Sequence, residues 1–117
     1  MTDIAARYIA VWNETDAVRR RQLVDELFTE DATYTDPLAD VTGRDGIDAL
    51  IAGAQQQFAG LAFTAPAEAD AHHDIARFHW HLNAPGEVEP VAIGFDVVRV
   101  SGDRISSVLG FLDRVPG

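Results

Sequence analysis

Residues 91–98 read Val-Ala-Ile-Gly-Phe-Asp-Val-Val, and this segment determines the fold class. Successive side chains of a strand point to opposite faces, so apolar residues at nearly every position predict a strand that is covered on both sides. A layer of helices can cover only one face of a sheet. We therefore expect the other face to meet a second copy of the chain, in a homodimer.

Four β-prone runs follow residue 60, and the segment above belongs to the third of them. We predict strands at 61–71, 75–82, 90–100 and 104–113, separated by turn-rich joints such as Ser101-Gly102-Asp103. Consecutive strands with short connections usually pair, so these runs predict an antiparallel meander.

The first sixty residues have helical spacing instead. Apolar residues recur at helical intervals over 4–12, and Thr15 or Asp16 can cap a second helix. Thr42 and Asp45 have the spacing of a capping box at the start of a third helix. The basic run of the second helix is expected on its solvated face: Arg19, Arg20 and Arg21.

A short β-prone run at 32–35 precedes the third helix. It stops at Asp36 because the following Pro37 cannot donate to a strand ladder, which places Asp36 at a strand end. Helices followed by strands indicate an α+β fold, with helices packed on a curved antiparallel sheet that encloses an apolar pocket.

Composition limits the class of protein. The 117 residues are 47% hydrophobic, enough to bury one core, and we expect a single domain over 1–117. The chain has no cysteine, which excludes disulfides and thiolate chemistry and fits a cytoplasmic protein. A formal charge of -10 disfavours nucleic acid and anionic membranes as partners, and neither a membrane span nor a signal-peptide core is visible.

Asp96 is an ionisable residue among apolar neighbours. Burial disfavours a charged carboxylate, so we expect a raised pKa unless a cation lies close. A neutral carboxyl group facing a pocket can donate a hydrogen bond to a developing oxyanion, and Gly94 would let a ligand approach the backbone. Alternatively, Asp96 lies at a dimer seam or pairs with one of three arginines: Arg77, Arg99 or Arg104.

Asp36 and Tyr8 are the other candidate catalytic residues. A carboxylate at a strand end can act as a general base at a pocket mouth, although Asp-Pro is also an ordinary turn opener. Tyr8 faces inward on the first helix and can donate its hydroxyl, although an inward tyrosine often only fills the core.

The four histidines raise the question of a metal site. His79 and His81 share one strand face and could chelate an ion, but that segment offers no third ligand. We therefore expect no metal site, and a structural or interface role for these residues. The other two, His72 and His73, precede a turn.

Four segments carry a family resemblance: Ala6 to Val11, Phe28 to Pro37, Gly43 to Ile47 and Phe95 to Val100. They resemble the Δ5-3-ketosteroid isomerases and the wider superfamily of SnoaL-like polyketide cyclases and nuclear transport factor two-like proteins. The resemblance runs in order along the chain and implies a cone of three helices wrapped by a bent sheet, usually dimeric. It implies that Tyr8 is the oxyanion tyrosine, Asp36 the proton-shuttling base and Asp96 an aspartic acid kept neutral to donate a hydrogen bond.

The resemblance implies an isomerase-like or cyclase-like enzyme that acts on a small hydrophobic carbonyl compound without a metal or an organic cofactor. Asp36 would remove a proton alpha to the carbonyl, while Tyr8 and neutral Asp96 stabilise the enolate oxygen. Two alternatives stay open: epoxide hydrolysis by water that Asp96 or Asp36 activates, and a non-catalytic ligand-binding or dimerisation module. The expected pocket walls are six large apolar side chains: Trp12, Phe28, Phe58, Phe63, Trp80 and Leu112.

Overall fold

A computed structural model describes residues 3–115, and within that range the chain forms three helices and seven strands. The helices are α1 (Ile4–Asn13), α2 (Ala17–Leu27) and α3 (Gly43–Gln57). The strands are β1 (Phe28–Asp36), β2 (Ala39–Thr42), β3 (Ala62–Thr64), β4 (Asp70–His72), β5 (Ile75–Asn83), β6 (Ala92–Ser101) and β7 (Arg104–Arg114). This confirms the α+β class.

The strands form one open, curved sheet in the order β2-β1-β7-β6-β5-β3, with β4 also pairing with β5. The antiparallel meander is confirmed for β5, β6 and β7. The sheet as a whole is mixed, because β1 and β7 run parallel with Phe28 beside Ile105 and Thr35 beside Leu109. Since both strands enter the sheet from the same end, the expectation of a purely antiparallel sheet is wrong at this pair.

Two strand predictions also need correction. The predicted strand at 61–71 is two short strands, β3 and β4, because the intervening segment contains Pro66, which cannot donate to a ladder. β1 begins four residues before the predicted strand, at Phe28, and turns at Pro37-Leu38 into the short β2. Asp36 lies at the end of β1, as predicted.

Helix starts follow the sequence signals only in part. The Asp16 side chain caps α2 by accepting a hydrogen bond from the Arg19 N–H at 2.9 Å. The Thr42 side chain makes no capping hydrogen bond, so the capping box predicted for α3 does not form. The predicted solvated face of α2 holds an exception, because Arg20 is only 6% exposed and donates to Asp48 at 3.0 Å.

The helices cover the face of the sheet that we call the inner face, and the core lies between them. On β6, even-numbered residues such as Asp96 and Val98 point inward and are buried, while odd-numbered residues point to the outer face. Asp96 is therefore on the side of the helices. Among residues 3–115, no helix is long and apolar enough to cross a membrane.

Candidate active site

A cavity of about 740 Å³ lies between α1, α3 and the inner face of the sheet. That volume suits a small organic ligand. Most of its wall is apolar, and the polar groups come mainly from α1, the β1–β2 hairpin and β7. Its lining includes Tyr8, Trp12, Tyr34, Asp36, Leu50, Phe58, Phe63, Trp80, Leu112 and Arg114.

Asp36 is held at the cavity by the hairpin that it terminates. Its Oδ1 accepts hydrogen bonds from the N–H groups of Leu38 and Ala39, both at 2.8 Å. Its Oδ2 accepts a hydrogen bond from the Tyr34 hydroxyl at 2.6 Å. Three donors therefore fix the orientation of this carboxyl group, which is the requirement for a positioned general base.

Asp96 has the opposite environment. It is 2% exposed, and its Oδ2 has no hydrogen-bond partner among the described residues. The pKa of Asp96 is raised to about 7, mainly by burial. The Tyr8 hydroxyl and the Trp80 indole partly offset this rise, and the nearby Asp36 charge adds to it. A large share of Asp96 is therefore protonated near neutral pH and able to donate.

The alternative of a buried ion pair for Asp96 does not hold, because the three candidate arginines are engaged elsewhere. Arg77 pairs with Asp70 at 3.0 Å and Arg99 with Asp74 at 2.7 Å. The third candidate, Arg104, donates to a backbone carbonyl. None of these three arginines therefore offsets the burial of Asp96.

Two tyrosines lie next to these carboxyl groups. Burial and the neighbouring Asp96 raise the pKa of Tyr8 well above its ordinary value, and burial and Asp36 raise the pKa of Tyr34. Both phenols therefore stay protonated at physiological pH. The Tyr34 hydroxyl donates to Asp36, whereas the Tyr8 hydroxyl is available to donate to a ligand. Tyr8 lines the cavity directly, whereas Asp96 lies one layer deeper and is not itself part of the lining.

Gly110 lies between the side chains of Asp96 and Asp36. A methyl group at this position would lie 2.7 Å from Oδ1 of Asp96 and 3.2 Å from Cβ of Asp36. Gly94 has a different role from the one expected, since a methyl group there would lie 2.0 Å from the Trp80 ring. The Trp80 indole, not a ligand, occupies the space above Gly94.

The aromatic residues form a continuous wall. The ring centroids of Trp12 lie 5.9 Å from Tyr34 and 5.5 Å from Phe63, and Phe63 lies 5.4 Å from Trp80. Of the six predicted wall residues, five line the cavity: Trp12, Phe58, Phe63, Trp80 and Leu112. The sixth, Phe28, is a correction, because its ring is fully buried and packs against the edge of Tyr8 behind the wall.

Sequence reasoning missed Tyr34 and Gly110. Tyr34 precedes Asp36 by two positions on the same strand, so alternation places both side chains on one face, a signal that was available. Nothing in the sequence indicates that Gly110 lies beside Asp96, because that contact depends on the register between β6 and β7.

The histidines lie away from the cavity. His79 is on the outer face of the sheet, where its ring contacts Phe95 at 4.9 Å and its Nε2 lies 4.0 Å from Asp113. His72 and His73 contact each other in an exposed turn. Within residues 3–115, no group of three or more His, Cys, Asp or Glu side chains is arranged to hold a metal ion.

The whole chain, and not only its site, is similar to known proteins. The family model of the SnoaL-like domain matches residues 5–108. The chain belongs to the SnoaL-like family. The resemblance inferred from the sequence is thus confirmed, while no protein in the curated set matches this chain.

Solved structures give the same family and fold. A protein from Agrobacterium tumefaciens, named as an isomerase of the SnoaL-like family, is 43% identical over 94% of both chains, with a TM-score of 0.88. A protein with a ketosteroid isomerase-like fold from Catenulispora acidiphila, in complex with trimethylamine, is 23% identical over 94% of this chain and 85% of its own, with a TM-score of 0.74. A protein from Sinorhizobium meliloti named as a polyketide cyclase is 20% identical over 94% of both chains, with a TM-score of 0.70.

Proposed function

We propose that this SnoaL-like protein is a cofactor-independent isomerase or cyclase that removes a proton alpha to the carbonyl of a small hydrophobic substrate. Asp36 takes the proton, and the carbonyl becomes an enolate. The enolate oxygen enters the space between Tyr8, which lines the cavity, and neutral Asp96, which lies behind the lining. Both groups donate hydrogen bonds to it there, and these bonds strengthen as negative charge develops.

One observation supports this proposal above the others: two aspartic acid side chains with opposite surroundings lie on either side of Gly110 beside an apolar cavity. Asp36 accepts three hydrogen bonds, whereas Asp96 has an unpartnered oxygen and a pKa raised to about 7. Pairs of titratable groups whose environments differ in this way are typical of acid and base roles in one site.

Binding of substituted phenols tests the oxyanion part of the proposal. A phenolate resembles an enolate in charge and shape, and ultraviolet absorbance distinguishes it from the neutral phenol. We expect affinity to increase with the acidity of the phenol, and this increase to be lost in Asp96→Ala and Tyr8→Phe. Leu112→Ala is the matched control, because it removes apolar wall and should weaken all phenols equally.

Proton exchange tests the base. A cyclic enone in deuterated water should lose its alpha protons with the parent protein and not with Asp36→Asn. The control is Asp40→Asn, which changes an exposed carboxylate on the neighbouring strand that accepts a hydrogen bond from Thr35. Exchange that is equal in the parent and Asp36→Asn would show that Asp36 is not the base.

The aromatic wall supports a second candidate, a binding module for small organic ammonium ions. Trp12, Tyr34, Phe63 and Trp80 surround the space beside the Asp36 carboxylate, and aromatic faces attract cations. The complex of the Catenulispora protein with trimethylamine shows that such a ligand occurs with this fold. In this alternative the carboxylates balance the ligand charge and no reaction follows.

The pH dependence of binding separates the two candidates. An ammonium ion favours ionised Asp96, so its affinity should increase as pH rises through about 7. A phenolate favours neutral Asp96, so the affinity for the ionised form of the phenol should decrease over the same pH range. Calorimetric titration with trimethylammonium and with one acidic phenol, at several pH values, measures both trends.

We also propose that two copies of the chain pair through the outer face of the sheet. Phe95 lies opposite Phe111 and Val97 opposite Leu109, and Phe111 and Leu109 are 58% and 50% exposed. Apolar side chains aligned across strands in this way form a continuous patch, which suits a self-complementary interface. Sedimentation should show a dimer that Phe111→Arg dissociates; a monomeric parent protein at micromolar concentration would contradict the proposal.

A further inference from the structure

The indole of Trp12 carries a hydrogen-bond donor that nothing in the described chain satisfies. The side chain is 9% exposed and its ring lines the cavity, yet Nε1 has no partner within residues 3–115. An indole N–H can only donate, and a buried donor without an acceptor is costly. Native structures rarely leave such a group unpaired, so we expect an acceptor from a ligand or from solvent beside Nε1.

Trp12 and Tyr8 are neighbours on one face of α1. They are four residues apart, and their ring centroids are separated by 6.0 Å. Both side chains line the cavity, and the Trp12 indole lowers the pKa of Tyr8 while Asp96 raises it. No hydrogen bond of good geometry joins Nε1 of Trp12 to the Tyr8 hydroxyl, so the indole donor stays free for a ligand acceptor beside it. The only two buried side-chain polar atoms left unpartnered in the described part of the chain, Nε1 of Trp12 and Oδ2 of Asp96, therefore both belong to the surroundings of this hydroxyl.

The position of Trp12 is fixed from two directions. Gln55 donates from its Nε2 to the Trp12 carbonyl at 3.0 Å, and its own Oε1 accepts a hydrogen bond from buried Arg20 at 2.9 Å. On the other side, Asn13 exchanges two hydrogen bonds of 2.8 Å with the backbone of Phe63. Because the backbone around Trp12 is held in this way, its indole N–H needs little reorganisation when charge develops on a ligand.

We propose that the indole N–H of Trp12 is a third hydrogen-bond donor to the ligand oxygen, beside Tyr8 and Asp96. This inference rests on the proposed function and narrows its substrate class. An oxygen that receives three donors carries no hydrogen of its own, so the ligand group is a carbonyl or an oxyanion such as an enolate, and not a neutral alcohol or an ammonium ion. A donor at Trp12 therefore favours the carbonyl substrate of the proposed enzyme over the ammonium ligand of the alternative binding module.

The indole N–H resonances of ¹⁵N-labelled protein test the proposal directly. The chain has two tryptophans, so two indole signals are expected, and Trp12→Phe and Trp80→Phe assign them. On binding a series of substituted phenols, the Trp12 N–H proton should move downfield, and further with each more acidic phenol. Trimethylammonium offers no acceptor, so it should not move the Trp12 N–H proton downfield.

Affinity provides a second readout. Trp12→Phe keeps an aromatic ring and removes the donor, so the most acidic phenol should bind about ten- to a hundredfold more weakly, as for loss of a hydrogen bond to a charged group. The least acidic phenol should lose much less. Phe58→Leu is the matched control, because it changes the cavity wall without a polar atom and should weaken all phenols by a similar factor.

The outcomes distinguish the two proposals. One outcome would contradict the donor role of Trp12 alone. Phenols would bind and lose affinity in Asp96→Ala, but the Trp12 signal would be independent of phenol acidity and Trp12→Phe would behave like Phe58→Leu. The oxyanion site formed by Tyr8 and Asp96 would then still hold. If no phenol binds to the parent protein, the proposed function itself fails. Should Trp12→Phe not fold, the resonance of the parent protein still decides between these outcomes.

Discussion

Ionisation of Asp96 should make the folded state less stable as pH rises. Its pKa is about 7 in the folded protein against an ordinary value of 3.8, so between these values the folded chain holds a proton that the unfolded chain has lost. The contribution of Asp96 to the free energy of unfolding is then highest below pH 4, decreases up to about pH 7 and is constant above that pH. The pKa is higher by about 3 in the folded protein, and a pKa difference of one corresponds to about 1.4 kcal/mol. The free energy of unfolding therefore decreases by roughly 4 kcal/mol over this pH range.

Urea unfolding from pH 4 to 8.5 measures this effect when the parent is compared with Asp96→Asn. The variant has no proton to lose, so the difference in unfolding free energy between the two proteins should change by roughly 4 kcal/mol in favour of the variant as pH rises. Taking the difference cancels the contributions of the other titrating groups, which both proteins share. A pH-independent difference would show that the surroundings of Asp96 do not favour its neutral form, and the donor role in the proposed function would fail with it.

Three further changes test the supports of the site. Tyr34→Phe removes the hydrogen bond to Asp36, so alpha-proton exchange should be slower than in the parent protein, and an equal rate would show that this hydrogen bond does not support the base. Gly110→Ala should destabilise the fold by about 1–3 kcal/mol in urea, because its methyl group would meet a buried carboxyl group, whereas Gly53→Ala in α3 has free space and should be neutral or stabilising. Arg20→Met should cost about 1–3 kcal/mol by leaving two polar partners unpaired, with thermal unfolding as the measurement.

The sequence predicts the elements of this fold well where a local pattern controls them. Runs of β-prone apolar residues locate β5, β6 and β7, and helical spacing locates α1 and α3. The parallel pairing of β1 with β7 could not be predicted, because it joins residues near 30 with residues near 107 that no local pattern relates. The burial of Arg20 is similar, since its partners Asp48 and Gln55 come from another helix.

Individual site residues were predictable to the extent that they violate a pattern. Asp96 interrupts an apolar strand, and Asp36 precedes a proline, so both are visible without a structure. Tyr34 and Trp12 do not interrupt any sequence pattern, because an aromatic residue at an inward position is ordinary. Their importance depends on where a hydroxyl or an indole N–H points, which is set by tertiary packing.

The two carboxyl groups also explain how an acidic protein could stabilise an anion. Before proton abstraction, the negative charge is on Asp36, where three hydrogen bonds support it and its field raises the pKa of Asp96. After abstraction, Asp36 is neutral and the charge is on the ligand oxygen, beside neutral donors. The reaction moves one charge within the site and leaves the total unchanged, so no additional charge is buried as the enolate forms. If this is how the site works, Asp36→Asn should bind phenolates more tightly than the parent protein, because the ligand charge then has no carboxylate to replace.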